Sequence, residues 1–136
     1  GVQTCALPIS NDTAGVYGSY SGPAAGQSVE VANLQEVTTG PAELWATVEG
    51  TAAKAYAVRI ERVTMTGTDP NRNLLIRVTD QTLLEKTGGI VQGMSGSPIV
   101  QNGRLAAVLT HVLVNDPAKG YAIFAATMLE KADAAA

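Results

Sequence analysis

Along the chain, apolar and polar residues alternate in several stretches separated by glycine, proline and asparagine. "AELWATVEG" puts Leu44, Ala46 and Val48 on one face and Glu43, Trp45, Thr47 and Glu49 on the other, the period of two of a half-buried strand. Gly50 closes it, and "KAYAVRIERV" resumes the alternation with Tyr56, Val58 and Ile60, so the two runs predict a long hairpin. "VEVANLQEV" alternates well enough to predict an earlier strand, and "LLIRVTD" a later one after a turn at "TGTDPNRN". "TDQTLLEKTGG" carries start and stop signals of a short helix: Thr and Asp first, a leucine pair, a lysine near the end and glycines beyond. "SPIVQNGRLAAVLTHVLV" is two apolar runs around Asn102–Gly103, a two-residue hairpin turn. "NDPAKG" is expected as a loop, with Asn115 and Asp116 in a turn, "YAIF" as a short strand, and "AATMLEKADAAA" as a closing helix. Residues 10–28, rich in Gly, Ser, Asn, Asp and Pro, read as loop with a short extended piece near Val16–Tyr17. The pattern predicts a mainly antiparallel β fold with two short helices, without internal repeats or a domain linker.

The opening "GVQTCALPI" fits none of these patterns and matches the translation of a sequencing-library adapter, so residues 1–9 are read as foreign to the fold. The only cysteine, Cys5, lies in that stretch, which leaves the rest without a thiol, a disulfide or a cysteine metal site. Residues 10–136 are then expected to be part of a domain whose N-terminal portion is missing. With 46% hydrophobic and 15% charged residues the chain is globular rather than disordered. A net charge of −3 without a basic stripe, and few aromatic residues, argue against nucleic-acid binding. No run approaches the roughly 20 apolar residues that cross a bilayer.

Candidate chemistry concentrates in "GGIVQGMSGSPIVQNG". A serine hydroxyl becomes a nucleophile only when a base takes its proton and donors receive the oxyanion. In "GMSGSP" glycine lets the backbone turn so that the amides of Gly93 and Ser95 can face one spot, while Pro98 sends the chain into an apolar strand. The alternative is a plain polar turn. A glycine bend leading into a β-hairpin suits a β-barrel protease and not the strand–nucleophile–helix elbow of the α/β-hydrolases.

"TGGIVQGMSGSPIVQNGRL" followed by "LTHVLVNDPAKGYAIF" closely resembles the SpoIVB peptidase family, and weaker resemblance runs back through "NLLIRVTDQTLLEKTGG", "GPAELWATVEG" and "GVYG". The resemblance implies a serine endopeptidase with a chymotrypsin-like antiparallel β-barrel, of which this chain holds chiefly the C-terminal barrel. It implies Ser95 as nucleophile, Asp80 as catalytic aspartate, and the Gly93 and Ser95 amides as oxyanion hole. It also implies an upstream PDZ domain, export to the space between the membranes around the forespore, and a membrane-bound regulator as protein substrate, with no cofactor and no metal. The family's general base is a histidine in an upstream Gly-His motif that this chain lacks, so the chain is expected to be inactive as it stands.

The only histidine, His111, has three readings: base for Ser95, a structural or site-lining residue, or a strand histidine bonded to a neighbouring loop. Asp80 equally suits a helix N-cap. Met94 cannot form the ion pair that an aspartate before the nucleophile makes in digestive proteases, so activation would take another route. A second reading of the whole chain is a protease-like fold kept as a binding or signalling module. Half of a double barrel is expected to expose apolar edges and to be poorly soluble.

Overall fold

The structure is a computed structural model that describes residues 6–12, 14–20 and 28–135. Strands β1 (Ala6–Asp12) and β2 (Gly15–Tyr20) form a separate antiparallel pair. Ala6–Ile9, read from the sequence as foreign, therefore lie within a paired strand. Six strands follow: β3 (Gly40–Ala46), β4 (Lys54–Val63), β5 (Leu74–Val78), β6 (Pro98–Gln101), β7 (Arg104–Leu113) and β8 (Asp116–Phe124). They close into an antiparallel barrel in the order β3-β4-β5-β8-β7-β6. Helices α1 (Gln81–Thr87) and α2 (Ala125–Ala135) complete it.

Alternation decides the barrel's inside. Leu44 of β3, Val58 and Ile60 of β4, Leu74 and Ile76 of β5, Ile99 of β6 and Leu109 of β7 all point into one core and are almost completely buried. Each such side chain withdrawn from water contributes about 1.5–3 kcal/mol. Leu83, fully buried, brings α1 into the same core. The predicted β3–β4 and β6–β7 hairpins form as expected, the second turning at Asn102 (φ 52°) and Gly103 (φ 75°). The narrowest seam is β3 against β6, with two register pairs, Glu43↔Val100 and Leu44↔Ile99. Buried Gln101 reinforces it: its side-chain oxygen accepts from the Thr38 amide (3.1 Å) and its nitrogen donates to the Thr38 carbonyl (2.9 Å).

Three expectations are corrected. "VEVANLQEV" is not a strand. Val31 makes only an isolated bridge to Leu105, and Leu34–Glu36 form a 3-10 turn in which the Asn33 amide donates to the Glu36 carboxylate (3.3 Å) while Arg104 binds the same carboxylate (2.8 Å). Local polar bonds thus take the place of a ladder. "NDPAKG" is mostly strand: only Val114 and Asn115 turn, and Asp116 already pairs with Leu113. Pairing on both sides, Arg77↔Lys119 and Val112↔Gly120, overrides the turn-like composition. The third concerns open edges: among the described residues β3–β8 close on themselves into one barrel, where half of a double barrel was expected to leave its strands open.

Candidate active site

The segment between α1 and β6 is pinned at four points. Gly88 closes α1 in a left-handed conformation, and Gly89 (φ 130°) runs so close to β8 that an added Cβ would lie 2.3 Å from the Pro117 carbonyl oxygen. Only glycine permits that approach. The next amide, Ile90, donates to the same carbonyl at 2.7 Å. Met94, buried, plunges into the core, and its sulfur accepts from the Val91 amide at 3.3 Å. The Gly96 amide then donates to the Leu109 carbonyl (2.7 Å), and the Leu109 amide to the Ser97 carbonyl (2.9 Å), which stitches the end of the loop to β7.

Between these anchors Ser95 is exposed. The amides of Met94, Gly96 and Ser97 are all used within the protein. Those of Gly93 and Ser95 have no hydrogen-bond partner among the described residues. Gly93 (φ 97°) and Gly96 (φ 93°) supply the backbone angles that this bend requires. Two unused amides flanking a rigidly anchored residue, one of them on the serine itself, are the donor set that a tetrahedral oxyanion at Ser95 would need.

The Ser95 hydroxyl donates to the Thr110 carbonyl at 2.9 Å. That carbonyl is available because of a β-bulge: Leu109 pairs with Ala122 and His111 with Tyr121, so Thr110 is the extra residue between them. The Thr110 hydroxyl donates to the Asn71 carbonyl at 2.6 Å, with the Tyr121 carbonyl a longer second acceptor at 3.1 Å. With its hydrogen committed there, the Thr110 oxygen can accept from Nδ1–H of His111 at 3.1 Å. The Nε2 of His111 then carries the free lone pair. His111 is exposed and makes no hydrogen bond to Ser95. Its side-chain contact is with Thr110, the preceding residue of the same strand, and not with a neighbouring loop.

Asp80 lies elsewhere. One carboxylate oxygen accepts from the Leu83 amide (3.0 Å) as the N-cap of α1, and the other from the Ala57 amide at 3.4 Å. It lines a recess of about 600 Å³ on the outer face of β3 and β4, with Glu43, Tyr56 and Asn102, that Ser95 does not reach. No hydrogen bond joins Asp80 to Ser95. The structure links Ser95, through Thr110, to His111. Asp80 makes the contacts of an N-cap, and since a triad aspartate bonds the histidine and not the serine, those contacts are compatible with either of its two readings. Two contributors escaped the sequence reading: the Thr110 carbonyl, placed by a bulge that composition does not announce, and Met94 as the loop's anchor. An apolar residue between glycines in an exposed loop was the available signal for the second.

The order β3-β4-β5-β8-β7-β6, two three-strand halves closed into one barrel, combines with a glycine-framed serine opening the fourth strand. The sequence model described as SpoIVB peptidase S55 matches residues 6–129. The chain belongs to the SpoIVB peptidase family. Among solved structures, the active form of the Rv3671c protease of M. tuberculosis superposes with a TM-score of 0.54 at 21% identity, over 96% of this chain and 57% of that one. The inactive form of its serine-to-alanine mutant superposes with a TM-score of 0.50 at 20% identity, over 95% of this chain and 65% of that one. These likenesses show a shared fold, the trypsin-like serine-protease barrel, and the chain spans less than two thirds of either relative. No curated protein sequence matches the chain. No described helix is long and apolar enough to cross a membrane.

Proposed function

We propose that this chain is the nucleophile-bearing part of a serine endopeptidase of the SpoIVB type. The observation that carries the reading is the pair of unused amides, Gly93 and Ser95, around an exposed serine whose loop is anchored by Met94. In the reaction the Ser95 hydroxyl leaves the Thr110 carbonyl, gives its proton to a base and attacks a peptide carbonyl. The two amides receive the resulting oxyanion; collapse then expels the amine and leaves an acyl-serine for water to hydrolyse. Leaving the carbonyl costs about 1 kcal/mol, a small fraction of a catalytic barrier.

The base is the missing part. The Ser95 hydroxyl bonds the Thr110 carbonyl and no hydrogen bond joins it to His111, which supports a histidine supplied from outside this chain and little activity in the chain alone. The setting is that of the family: an exported protein with an upstream PDZ domain that cuts a membrane-bound regulator during sporulation. Labelling with a fluorophosphonate tests the assignment of the base. The 136-residue chain should label slowly or not at all, and the product of the full reading frame rapidly. Rapid labelling of the short chain that is lost in His111→Ala would instead make His111 the base. A full-length product that never labels would leave a protease-like binding module.

A further inference from the structure

The connection between β4 and β5 ends in a 3-10 turn, Pro70–Arg72, that packs over β8 and β7 beside the candidate nucleophile. Two hydrogen bonds span the distance: Ser95 to the Thr110 carbonyl, and the Thr110 hydroxyl to the Asn71 carbonyl. A peptide held at Ser95 therefore meets this turn within a few residues of the bond to be cut. The turn is rigid, because Asp69 caps it through the Asn71 amide (3.0 Å), and it presents Arg72. The Arg72 guanidinium lies 5.3 Å from the centre of the Tyr121 ring, and Tyr121 is the direct cross-strand partner of His111 on β7. A cation at that distance from a ring face is attracted to it, which limits where the exposed guanidinium can swing. Arg72 makes a long ion pair with Asp69, 3.4 Å from Nε to the carboxylate. Its two terminal nitrogens have no hydrogen bond to the described residues. By contrast, Arg77 and Arg104 point their guanidinium groups at Glu61 and at Glu36 with Glu30.

We infer that Arg72 is a specificity-determining residue, selecting a substrate with a glutamate or aspartate side chain a few residues from the cleaved bond. The inference rests on the peptidase reading of Ser95. The ring positions the planar fork, and a substrate carboxylate takes the two terminal N–H groups side by side, the geometry in which arginine outperforms lysine. Asp69 does not block this, since its carboxylate also serves the Asn71 amide and its contact with Arg72, at 3.4 Å, is not a hydrogen bond. In a chain with net charge −3, attraction of an acidic peptide has to be local, and this exposed guanidinium on the turn packed against β7 and β8 supplies it.

The test is an NMR titration of the 136-residue chain with capped alanine peptides carrying one Glu at successive positions, against their Gln counterparts. One Glu register should bind about fivefold more tightly than its Gln twin, the scale of one exposed ion pair. Binding should perturb the amides of residues 93–95 and 110–112. The preference should vanish in Arg72→Gln and persist in part in Arg72→Lys, with thermal unfolding showing both variants folded. Equal binding of Glu and Gln peptides, a preference that survives Arg72→Gln, or no perturbation by any peptide would each overturn the inference. Fluorophosphonate labelling of Ser95 in the product of the full reading frame judges the peptidase reading separately: labelling there without acidic preference sinks only the role of Arg72, and acidic preference without labelling sinks the peptidase and leaves Arg72 a peptide-binding residue.

Discussion

Met94 buries its side chain in the barrel core and so holds the neighbouring Ser95 at the surface, with the Val91 amide donating to its sulfur. Truncation removes both anchors. Met94→Ala should cost about 3 kcal/mol in urea unfolding and should slow labelling of Ser95 further than the lost stability explains, because the amides of Gly93 and Ser95 lose their fixed positions. Asp80 separates two roles by chemistry. As an N-cap it should be replaceable by asparagine with little loss, while Asp80→Ala should cost about 1 kcal/mol. If the carboxylate also serves catalysis, as the resemblance implies, Asp80→Asn should keep stability and abolish labelling of the full-length product; labelling that persists would confine Asp80 to the cap. At this scale the glycine bend around Ser95 was legible from the residues, while the reading of Ser95 as a nucleophile came from the family resemblance and is what the labelling tests. The parking of its hydroxyl on Thr110 was not legible, since the bulge follows from how β7 meets β8 and from no local residue preference.

Helix α1 shows how an element orders the site. Asp80 starts it, Gly88 ends it, and Leu83, fully buried, docks it into the barrel, so that Gly89 arrives against Pro117 and the loop that carries Ser95 starts from a fixed point. Leu83→Ala should therefore destabilise the protein by about 3 kcal/mol and loosen the loop, seen as faster amide exchange at Ile90 and Gly96. Their exchange remaining at the wild-type rate would show that the loop is held without α1. Elements whose cues are local, the β3–β4 and β6–β7 hairpins and both helices, were readable from alternation, turn chemistry and caps. The first half of β8 was not. "NDPAKG" has turn composition, and only its two neighbours, β5 and β7, make a strand of it. "VEVANLQEV" failed in the other direction, because Asn33, Glu36 and Arg104 satisfy one another and leave the alternation unused.

Across the whole molecule the ion pairs fasten connections to the barrel. Arg104 binds Glu36 beside the 3-10 turn, Lys86 on α1 binds Glu49 of the β3–β4 connection, and Arg77 and Lys119 share Glu61 across β4, β5 and β8. Hydrogen bonds from Arg104, Lys86 and Arg77 respectively hold these three carboxyls below the ordinary carboxylate value of 4.5. A carboxyl held lower in the folded than in the unfolded chain binds its proton more weakly when folded. Its contribution is therefore complete above the ordinary value and is lost as pH falls through the folded one. Urea midpoints should accordingly fall on acidification below about pH 4.5; a midpoint that rises there would show that these pairs do not stabilise the fold. Barrel closure also predicts a monomer in sedimentation, where open edges would have given aggregates.

The central claim is that Ser95 is a nucleophile served by the amides of Gly93 and Ser95. The most direct test is to treat the product of the full reading frame with a fluorophosphonate and to locate the adduct by mass spectrometry of the digested protein. The account predicts a single adduct on Ser95, absent in Ser95→Ala. An unmodified Ser95 in a folded full-length protein, or an adduct that persists in Ser95→Ala, would contradict it.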